Sequence, residues 1–210
     1  MAKQISAQEV FEYIERRPVD ANKGTVGRLL SVCGSRSYRG AASLSALGAL
    51  RSGVGLLCVA STECVLASVS AKLNECIFLP LEETEEGSVS AVSGFSLMEQ
   101  SQKYDACLLG CGLSQTEDVK KIVYSMITHA RCRLILDADA LNVISEETDI
   151  LNQAKRPPIL TPHVGEMARL IGRDAAYVSE NRFDVAADFA SAHNCIVVLK
   201  DYKTVTASYD

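Results

Sequence analysis

The stretch "RLLSVCGSRSYRGAASLSALGALRSGVGLLCVAS" (residues 28–61) joins two apolar runs through a Gly- and Ser-rich turn and an Ala- and Leu-rich segment. The runs at 28–34 and 54–61 are continuous rather than alternating, which is typical of parallel strands buried on both faces. The segment between them, 40–53, predicts a helix that Gly53 ends. Strand, helix and strand in this order predict a parallel sheet with a right-handed crossover.

The same alternation continues to the end of the chain. We predict further strands at 75–81, 104–112, 132–140 and 157–163, and helices at 6–16, 62–73, 117–130, 165–172 and 182–194. The apolar run 195–200 and the alternating residues 204–207 predict a closing hairpin. Neither a linker nor a repeat interrupts the pattern, so we predict a single α/β domain over residues 1–210, with a mostly parallel sheet and helices on both faces.

Composition and charge indicate which kinds of partner and which location to expect. The 210 residues are 48% hydrophobic and 22% charged, as in ordinary globular domains. A net charge of −5 gives no general reason to expect nucleic-acid binding. The N-terminus lacks the apolar core of a secretory signal, and no apolar stretch approaches the roughly 20 residues that span a bilayer. We therefore expect a cytoplasmic protein with no nucleic-acid or membrane partner.

Eight cysteines raise the question of disulfides or a metal site. Cys33, Cys58, Cys107 and Cys195 lie inside apolar runs, and the sequence contains no C-x-x-C pair. The three histidines are not spaced for zinc either. We expect buried thiols and no protein-built metal centre. Cys107 and Cys111 are the one pair that we single out.

Four strand ends carry polar or glycine-rich sequences, namely "CGSRSYRGAA" (33–42), "LGCGLS" (109–114), "LDADALN" (136–142) and "LTPHVGE" (160–166). In open parallel sheets, ligands bind beyond the carboxyl ends of the strands. The first of these turns leads to a helix N-terminus that either binds an anion or simply packs closely. It matches neither the G-x-G-x-x-G nor the Walker fingerprint, which argues against a standard Rossmann or P-loop site.

Individual polar residues at these ends allow more than one role. Asp137 and Asp139 would hold Mg²⁺ through waters, accept substrate hydroxyls, or cap the next helix. His163 is either a ligand contact or a structural loop residue. Lys200, followed by Lys203 and Thr204, would bind a phosphate or ribose, or would be a surface residue of the hairpin with no role in binding.

Taken in order, "NKGTVGRLLSVCGSRSYRGAASLSALGALRSGVGLLCVAS", "LGCGLS", "LDADALN", "ILTPHVGE" and "VVLKDYKTVTAS" resemble the ADP/ATP-dependent NAD(P)H-hydrate dehydratases. These are carbohydrate-kinase-like domains of the ribokinase superfamily. The resemblance runs from about residue 20 to the end of the chain. It implies a ribokinase-like three-layer sandwich.

The resemblance also implies a repair reaction on hydrated NADH or NADPH. ADP or ATP, with Mg²⁺, would phosphorylate the hydroxyl of the hydrate, and phosphate would then leave. This makes the protein a lyase, and we expect a homo-oligomer. Two alternatives stay open: a small-molecule kinase of the same superfamily, acting on a sugar or vitamin, and a catalytically inactive nucleotide-binding fragment.

The family motifs imply a set of site residues. Ala41, Gly112 and His163 would contact the hydrated cofactor. The adenine nucleotide would be lined by Lys200, Asp201, Tyr202, Lys203 and Thr204. The phosphates and Mg²⁺ would lie near Asp137, Asp139, Asn142 and Glu166.

The chain departs from the family pattern at three places. Cys111 stands where members usually have proline in "GPGL", and Asp201 stands where they have glycine in "LKG". The glycine-rich segment of the form "GGTGD", whose aspartate is the family's catalytic base, does not occur among the 210 residues. From the resemblance we therefore expect an incomplete domain whose catalytic residue lies beyond Asp210, and little turnover from these residues alone.

Overall fold

Strands and helices alternate along the chain in a computed structural model that describes residues 3–14 and 16–210. The strands are β1 Arg28–Val32, β2 Leu56–Thr62, β3 Ile77–Leu81, β4 Ala106–Leu109, β5 Arg133–Leu136, β6 Ile159–Leu160, β7 Ile196–Leu199 and β8 Val205–Ala207. The helices are α1 Ala7–Tyr13, α2 Arg39–Arg51, α3 Glu63–Ser70, α4 Gly94–Ser101, α5 Glu117–His129, α6 Asp139–Ile144, α7 Val164–Ile171, α8 Ala175–Glu180 and α9 Arg182–Ala192. Short 3₁₀ turns occupy Ala91–Ser93 and Thr148–Gln153.

The eight strands form one sheet in the order β3-β2-β1-β4-β5-β6-β7-β8. The first seven are parallel, and β8 runs antiparallel to β7, which confirms the predicted hairpin. Strand order reverses between β1 and β4, which are hydrogen-bonded neighbours although two strands separate them in sequence. In doubly wound sheets a crevice opens at this switch point, beyond the carboxyl ends of the strands.

Helices cover the sheet from both sides around β1 and β2. One apolar cluster joins α2 and α3 to these strands through residues such as Ala46, Leu57 and Val65. A larger cluster lies on the opposite face and includes side chains of α4 to α9. β2 is buried along almost its whole length, as its continuous apolar sequence predicts.

Farther along the sheet, burial on both faces is not observed. In β4, β5 and β7 only alternate residues are fully buried. The register places Leu108, Ile135, Ile159 and Ile196 in one row across β4 to β7, and all four are only half-buried. The apolar sequences of these strands predict burial on both faces, but in the structure one face of this half of the sheet is only partly buried.

Proline shortens one strand relative to the prediction. The strand expected over 157–163 is reduced to Ile159–Leu160. Pro157, Pro158 and Pro162 flank it, and proline has no N–H to donate to a neighbouring strand. Hydrophobic content alone therefore overestimated the strand.

The helices differ from the prediction mainly at weakly patterned segments. α1 carries the predicted capping box between Ser6 and Glu9 but ends at Tyr13, short of the predicted residue 16. α4 and α8 were not predicted. In the described residues no helix is both long and apolar enough to cross a membrane. The cysteines, all of which are described, carry free thiols.

Candidate functional site

Glycines at the ends of β1 and β4 shape the crevice between these strands. Gly34 leaves β1 with φ +87°, and its amide donates to the Cys111 carbonyl at 2.8 Å, which ties the two strand exits together. Gly110 has φ +129°, and a Cβ there would collide with the Asp137 carbonyl oxygen. Positive φ values of this kind are readily adopted only by glycine. The chain can therefore make the close approach of β4 to β5 only with glycine at position 110.

The turn after β4 brings two predicted site residues together. Gly112 has φ +69°, and a Cβ on it would lie 2.8 Å from both the Ala41 and the Tyr38 Cβ. Ala41 belongs to the first turn of α2, which follows β1. Ala41 and Gly112 are distant in sequence but are neighbours at the switch point. Both have minimal side chains, which allows this close approach of the turn to α2.

Asp139 holds that turn in place. Its carboxylate accepts the Ser114 amide at 2.9 Å, the Gln115 Nε2 at 3.1 Å and the Asn142 Nδ2 at 3.4 Å. Asn142 in turn accepts the Arg169 Nε at 2.9 Å through its Oδ1. The structure therefore places Asp139 and Asn142 at the rim, with their polar atoms engaged by protein groups.

Asp137, at the end of β5, is the centre of a second polar cluster. Lys200 Nζ and Thr161 Oγ1 both donate to its Oδ1 at 2.7 Å. Burial alone would raise the pKa of Asp137, but the hydrogen bonds from Lys200 and Thr161 outweigh it and hold the pKa below its ordinary value. Asp137 is thus a carboxylate at neutral pH, and its charge is balanced by Lys200 at the end of β7.

His163 and Glu166 form a capping box at the start of α7. His163 Nδ1 accepts the amides of Gly165 at 2.9 Å and Glu166 at 3.3 Å, and the Glu166 carboxylate accepts the His163 amide at 2.8 Å. Glu166 is buried, with a side chain only 6% exposed. His163 also forms a β-bridge with Lys200, so these two predicted site residues share one stretch of rim.

The turn between β7 and β8 contains the remaining predicted residues, 201–204. Asp201 pairs with Arg182 at 3.1 Å, and the same guanidinium donates to the Lys203 carbonyl at 3.2 Å. The Arg182 guanidinium also lies 5.1 Å from the centre of the exposed Tyr202 ring. Thr204 is exposed next to the turn. Sequence reasoning missed Arg182, because nothing in "NRFD" indicates a partner 19 residues downstream.

The cysteine pair at the site is not the one that spacing suggested. Cys107 belongs to the large cluster on the other face, whereas Cys111 packs against Cys33 in the α2–α3 cluster. The Cys111 thiol also donates to the Asp137 Oδ2 at 3.4 Å. The hydrogen bond with Cys33, burial and the Asp137 charge all raise the pKa of Cys111, so it is a protonated thiol.

The donor set is suited to magnesium only as part of a nucleotide complex. Among residues 3–14 and 16–210, no three His, Cys, Asp or Glu side chains come close enough to hold a metal ion. Mg²⁺ bound to a nucleotide needs only one or two protein carboxylates, because phosphates and waters complete its shell. Asp137 and Asp139 at the rim would be the carboxylates for that smaller role, although both already accept hydrogen bonds from protein groups.

The family model described as NAD(P)H-hydrate dehydratase matches residues 29–210. The chain belongs to the NAD(P)H-hydrate dehydratase family. Within this family, an ADP-dependent (S)-NAD(P)H-hydrate dehydratase of Bacillus subtilis is 34% identical over 203 residues, which cover 97% of this chain and 68% of that protein. A bifunctional NAD(P)H-hydrate repair enzyme of Moorella thermoacetica is 35% identical over 194 residues, which cover 92% of this chain. The chain spans 37% of the length of that bifunctional relative.

A solved structure of a dehydratase of the same family shares the fold. The ADP/ATP-dependent NAD(P)H-hydrate dehydratase of Bacillus subtilis, co-crystallised with ATP and Mg²⁺, superposes with a TM-score of 0.77 at 31% identity, over 98% of this chain and 69% of that one. A ribokinase-like superfamily protein of Enterococcus faecalis gives a TM-score of 0.82 at 22% identity, over 97% and 68% of the two chains. The ribokinase-like fold class is thereby confirmed.

Proposed function

We propose that the protein restores hydrated NADH and NADPH by an ADP- or ATP-dependent dehydration. The observation that carries this proposal is the contact between Ala41 and Gly112 at the switch point, within a rim that also presents Lys200 and His163. The family membership and the names of its relatives support it, since the Bacillus subtilis relative is an ADP-dependent (S)-NAD(P)H-hydrate dehydratase.

The proposed chemistry makes a leaving group. Hydroxide leaves poorly from the hydrated ring, so the hydroxyl oxygen loses its proton and takes the terminal phosphoryl group of the nucleotide. The C–O bond then breaks, phosphate leaves with the electron pair as the ring nitrogen donates its lone pair, and the adjacent ring carbon loses a proton to restore the double bond. The protein's task is then to position the ring and balance charge. Ala41 and Gly112 would provide a flat surface for the ring, because neither side chain extends beyond a methyl group. His163 would contact the ring from the rim.

The nucleotide would lie along the turn from Lys200 to Thr204. A carboxylate at Asp201 would repel phosphates, but its ion pair with Arg182 removes most of that repulsion. Asp137 and Asp139 would be the carboxylates nearest to nucleotide-bound Mg²⁺, which supplies charge neutralisation when bound.

An assay of the full-length gene product with hydrated NADPH tests the proposal. We expect ADP or ATP to restore the ultraviolet absorbance of the dihydronicotinamide ring, with release of phosphate. No restoration with either nucleotide would contradict the proposal. Accumulation of a stable phosphorylated product from a panel of sugars and vitamins would instead identify a small-molecule kinase.

Compartment and assembly belong to the same proposal. Eight free thiols are typical of a reducing compartment and support a cytoplasmic location. A homo-oligomer stays a prediction, because the exposed apolar side chains Leu44 and Phe95 belong to helices on opposite faces of the sheet and form no common patch. Light scattering on the purified protein tests this, and a monomer mass would contradict it.

A further inference from the structure

We propose that Glu166 and the first amides of α7 fix the orientation and tautomer of His163, so that its Nε2–H is presented to the hydrated nicotinamide ring. The identity of the ligand rests on the proposed function, whereas the state of the imidazole follows from the protein alone. Glu166 is a positioning residue in this arrangement, because it acts on the ligand only through His163.

The position of the imidazole proton follows from the two amides that Nδ1 accepts. Gly165 N and Glu166 N lie 2.9 and 3.3 Å from Nδ1, and a backbone N–H can only donate. Nδ1 must therefore carry a lone pair, and the single proton of the neutral ring must sit on Nε2. Rotating the ring by half a turn would put a carbon where Nδ1 is and leave both amides without this acceptor.

Glu166 fixes the backbone and the ring from the other side. One carboxylate oxygen accepts the His163 amide at 2.8 Å, and the other lies 3.4 Å from Nε2. Its side chain is 6% exposed, so it has few alternative positions, whereas the His163 side chain is 55% exposed. The 3.4 Å separation is longer than a strong N–H···O hydrogen bond, so Nε2–H can donate to a ligand.

The consequence for chemistry is a defined role for His163. A ring with Nδ1 occupied and Nε2 protonated has no free lone pair, so it cannot take the proton from the substrate hydroxyl. It can donate to an oxygen, and the hydrated ring carries two, on its hydroxyl and on its carboxamide. Because Lys200 N donates to Pro162 O at 2.8 Å, this donor is held beside the end of β7.

Nuclear magnetic resonance of ¹⁵N-histidine-labelled, full-length gene product tests the imidazole state without any ligand. The signals that disappear in the spectrum of His163→Asn are assigned to His163. We expect an unprotonated Nδ1 and a protonated Nε2. A proton on Nδ1 would overturn the proposal whether or not the protein dehydrates hydrated cofactor.

Two substitutions separate the cap from the donor. Asparagine is a favourable N-cap residue, so His163→Asn keeps the start of α7 while removing the long-reaching Nε2–H. We expect the melting temperature of His163→Asn to match that of the wild type and its KM for hydrated NADPH to rise about tenfold, the equivalent of one hydrogen bond. An unchanged KM in an otherwise active enzyme would overturn the donor role.

Substitutions of Glu166 test the positioning role. Glu166→Ala should raise the same KM severalfold with a smaller effect on kcat, and Glu166→Gln should restore it, since glutamine also completes a capping box. Glu9→Ala removes the equivalent residue of the α1 box, which has no buried residue, and should leave KM unchanged. Equal KM values for Glu166→Ala and Glu9→Ala would overturn the proposal. If the wild-type protein itself did not dehydrate hydrated NADPH, that result would instead contradict the proposed function.

Discussion

At the scale of single residues, two glycines with nearly the same backbone conformation allow a matched test of the crevice. Gly112 and Gly172 have φ +69° and +63°. A Cβ on Gly172 would meet nothing within 4 Å, whereas a Cβ on Gly112 would lie 2.8 Å from the Ala41 Cβ. The two positions differ in their surroundings rather than in backbone strain.

We expect Gly172→Ala to cost about 1–2 kcal/mol of unfolding free energy, the penalty of a left-handed conformation, with no loss of activity. Gly112→Ala should cost more and should also lower kcat/KM for hydrated NADPH at least tenfold, because α2 must move away from the crevice. Urea unfolding of both variants in the 210-residue chain and steady-state kinetics of both in the full-length gene product give the comparison. Equal losses of activity would show that the contact with Ala41 does not matter.

Asp137 gives a second residue-scale prediction, in acid stability. Its pKa is lowered from 3.8 by Lys200 and Thr161 against the effect of burial. A carboxyl with a depressed pKa in the folded state stabilises the fold above its unfolded pKa, and this contribution is lost as pH falls through the folded pKa. Asp137→Asn should therefore lower stability by about 1–2 kcal/mol near neutral pH and flatten its decline below about pH 4.

Urea unfolding of Asp137→Asn and the wild type between about pH 3 and pH 7 measures this difference. Lys200 is 44% exposed, so solvent limits the cost of leaving it unpaired. Glu146→Gln is the control, because its 3.7 Å pair with Lys120 is largely solvated and should contribute less than about 0.5 kcal/mol. Parallel pH curves for the wild type and Asp137→Asn would contradict the prediction.

How far the sequence predicts the site depends on where each contact partner lies. Asp137, His163 and Lys200 follow apolar strands, and parallel strands bring their ends to one edge, so their grouping was predictable. Thr161 follows β6 at the same edge, so its place was predictable, but its hydrogen bond to Asp137 was not. Arg182 was missed because it begins a helix and reaches Asp201 only after α9 packs beside the hairpin. Sequence spacing suggested Cys107 as the neighbour of Cys111, since residues four apart on a strand share a face. β4 ends at Leu109, however, and the turn at Gly110 places Cys111 on the other face, against Cys33, which directly follows β1.

At the scale of elements, β5 tests whether one face of the sheet is open. Leu136 is fully buried in the large cluster, whereas Ile135 lies in the half-buried row on the other face. Leu136→Ala should cost about 2–5 kcal/mol, the range for a buried leucine. Ile135→Ala should cost clearly less, because part of its side chain already contacts water.

Urea unfolding of the two β5 variants in the 210-residue chain measures these costs. Equal costs would mean that the Ile135 face is covered. The apolar run "LIL" at residues 134–136 predicts burial on both sides, whereas the structure buries only one side fully. Hydrophobicity specifies that a face can be buried, but the position of the covering helices decides whether it is.

At the scale of the whole molecule, strand order decides where ligands should bind. The carboxyl ends of β1, β4, β5, β6 and β7 meet at one edge of the sheet and carry every residue proposed to contact a ligand. A separate apolar cavity of about 350 Å³ is lined by α7 to α9 and the residues that follow α7 and α9, including Leu170, Phe189 and His193. His193 follows α9 directly and precedes β7, so it lies toward the opposite edge.

Hydrogen exchange in the full-length gene product distinguishes these two places. We expect ADP with Mg²⁺ to slow exchange in the turn 200–205, and hydrated NADPH to slow it at 34–41 and 110–115, because amides at the carboxyl edge become shielded from water. Peptides around the α7–α9 cavity serve as the internal control and should exchange at the same rate with and without either ligand. Protection confined to that cavity would contradict the assignment of the site to the switch point.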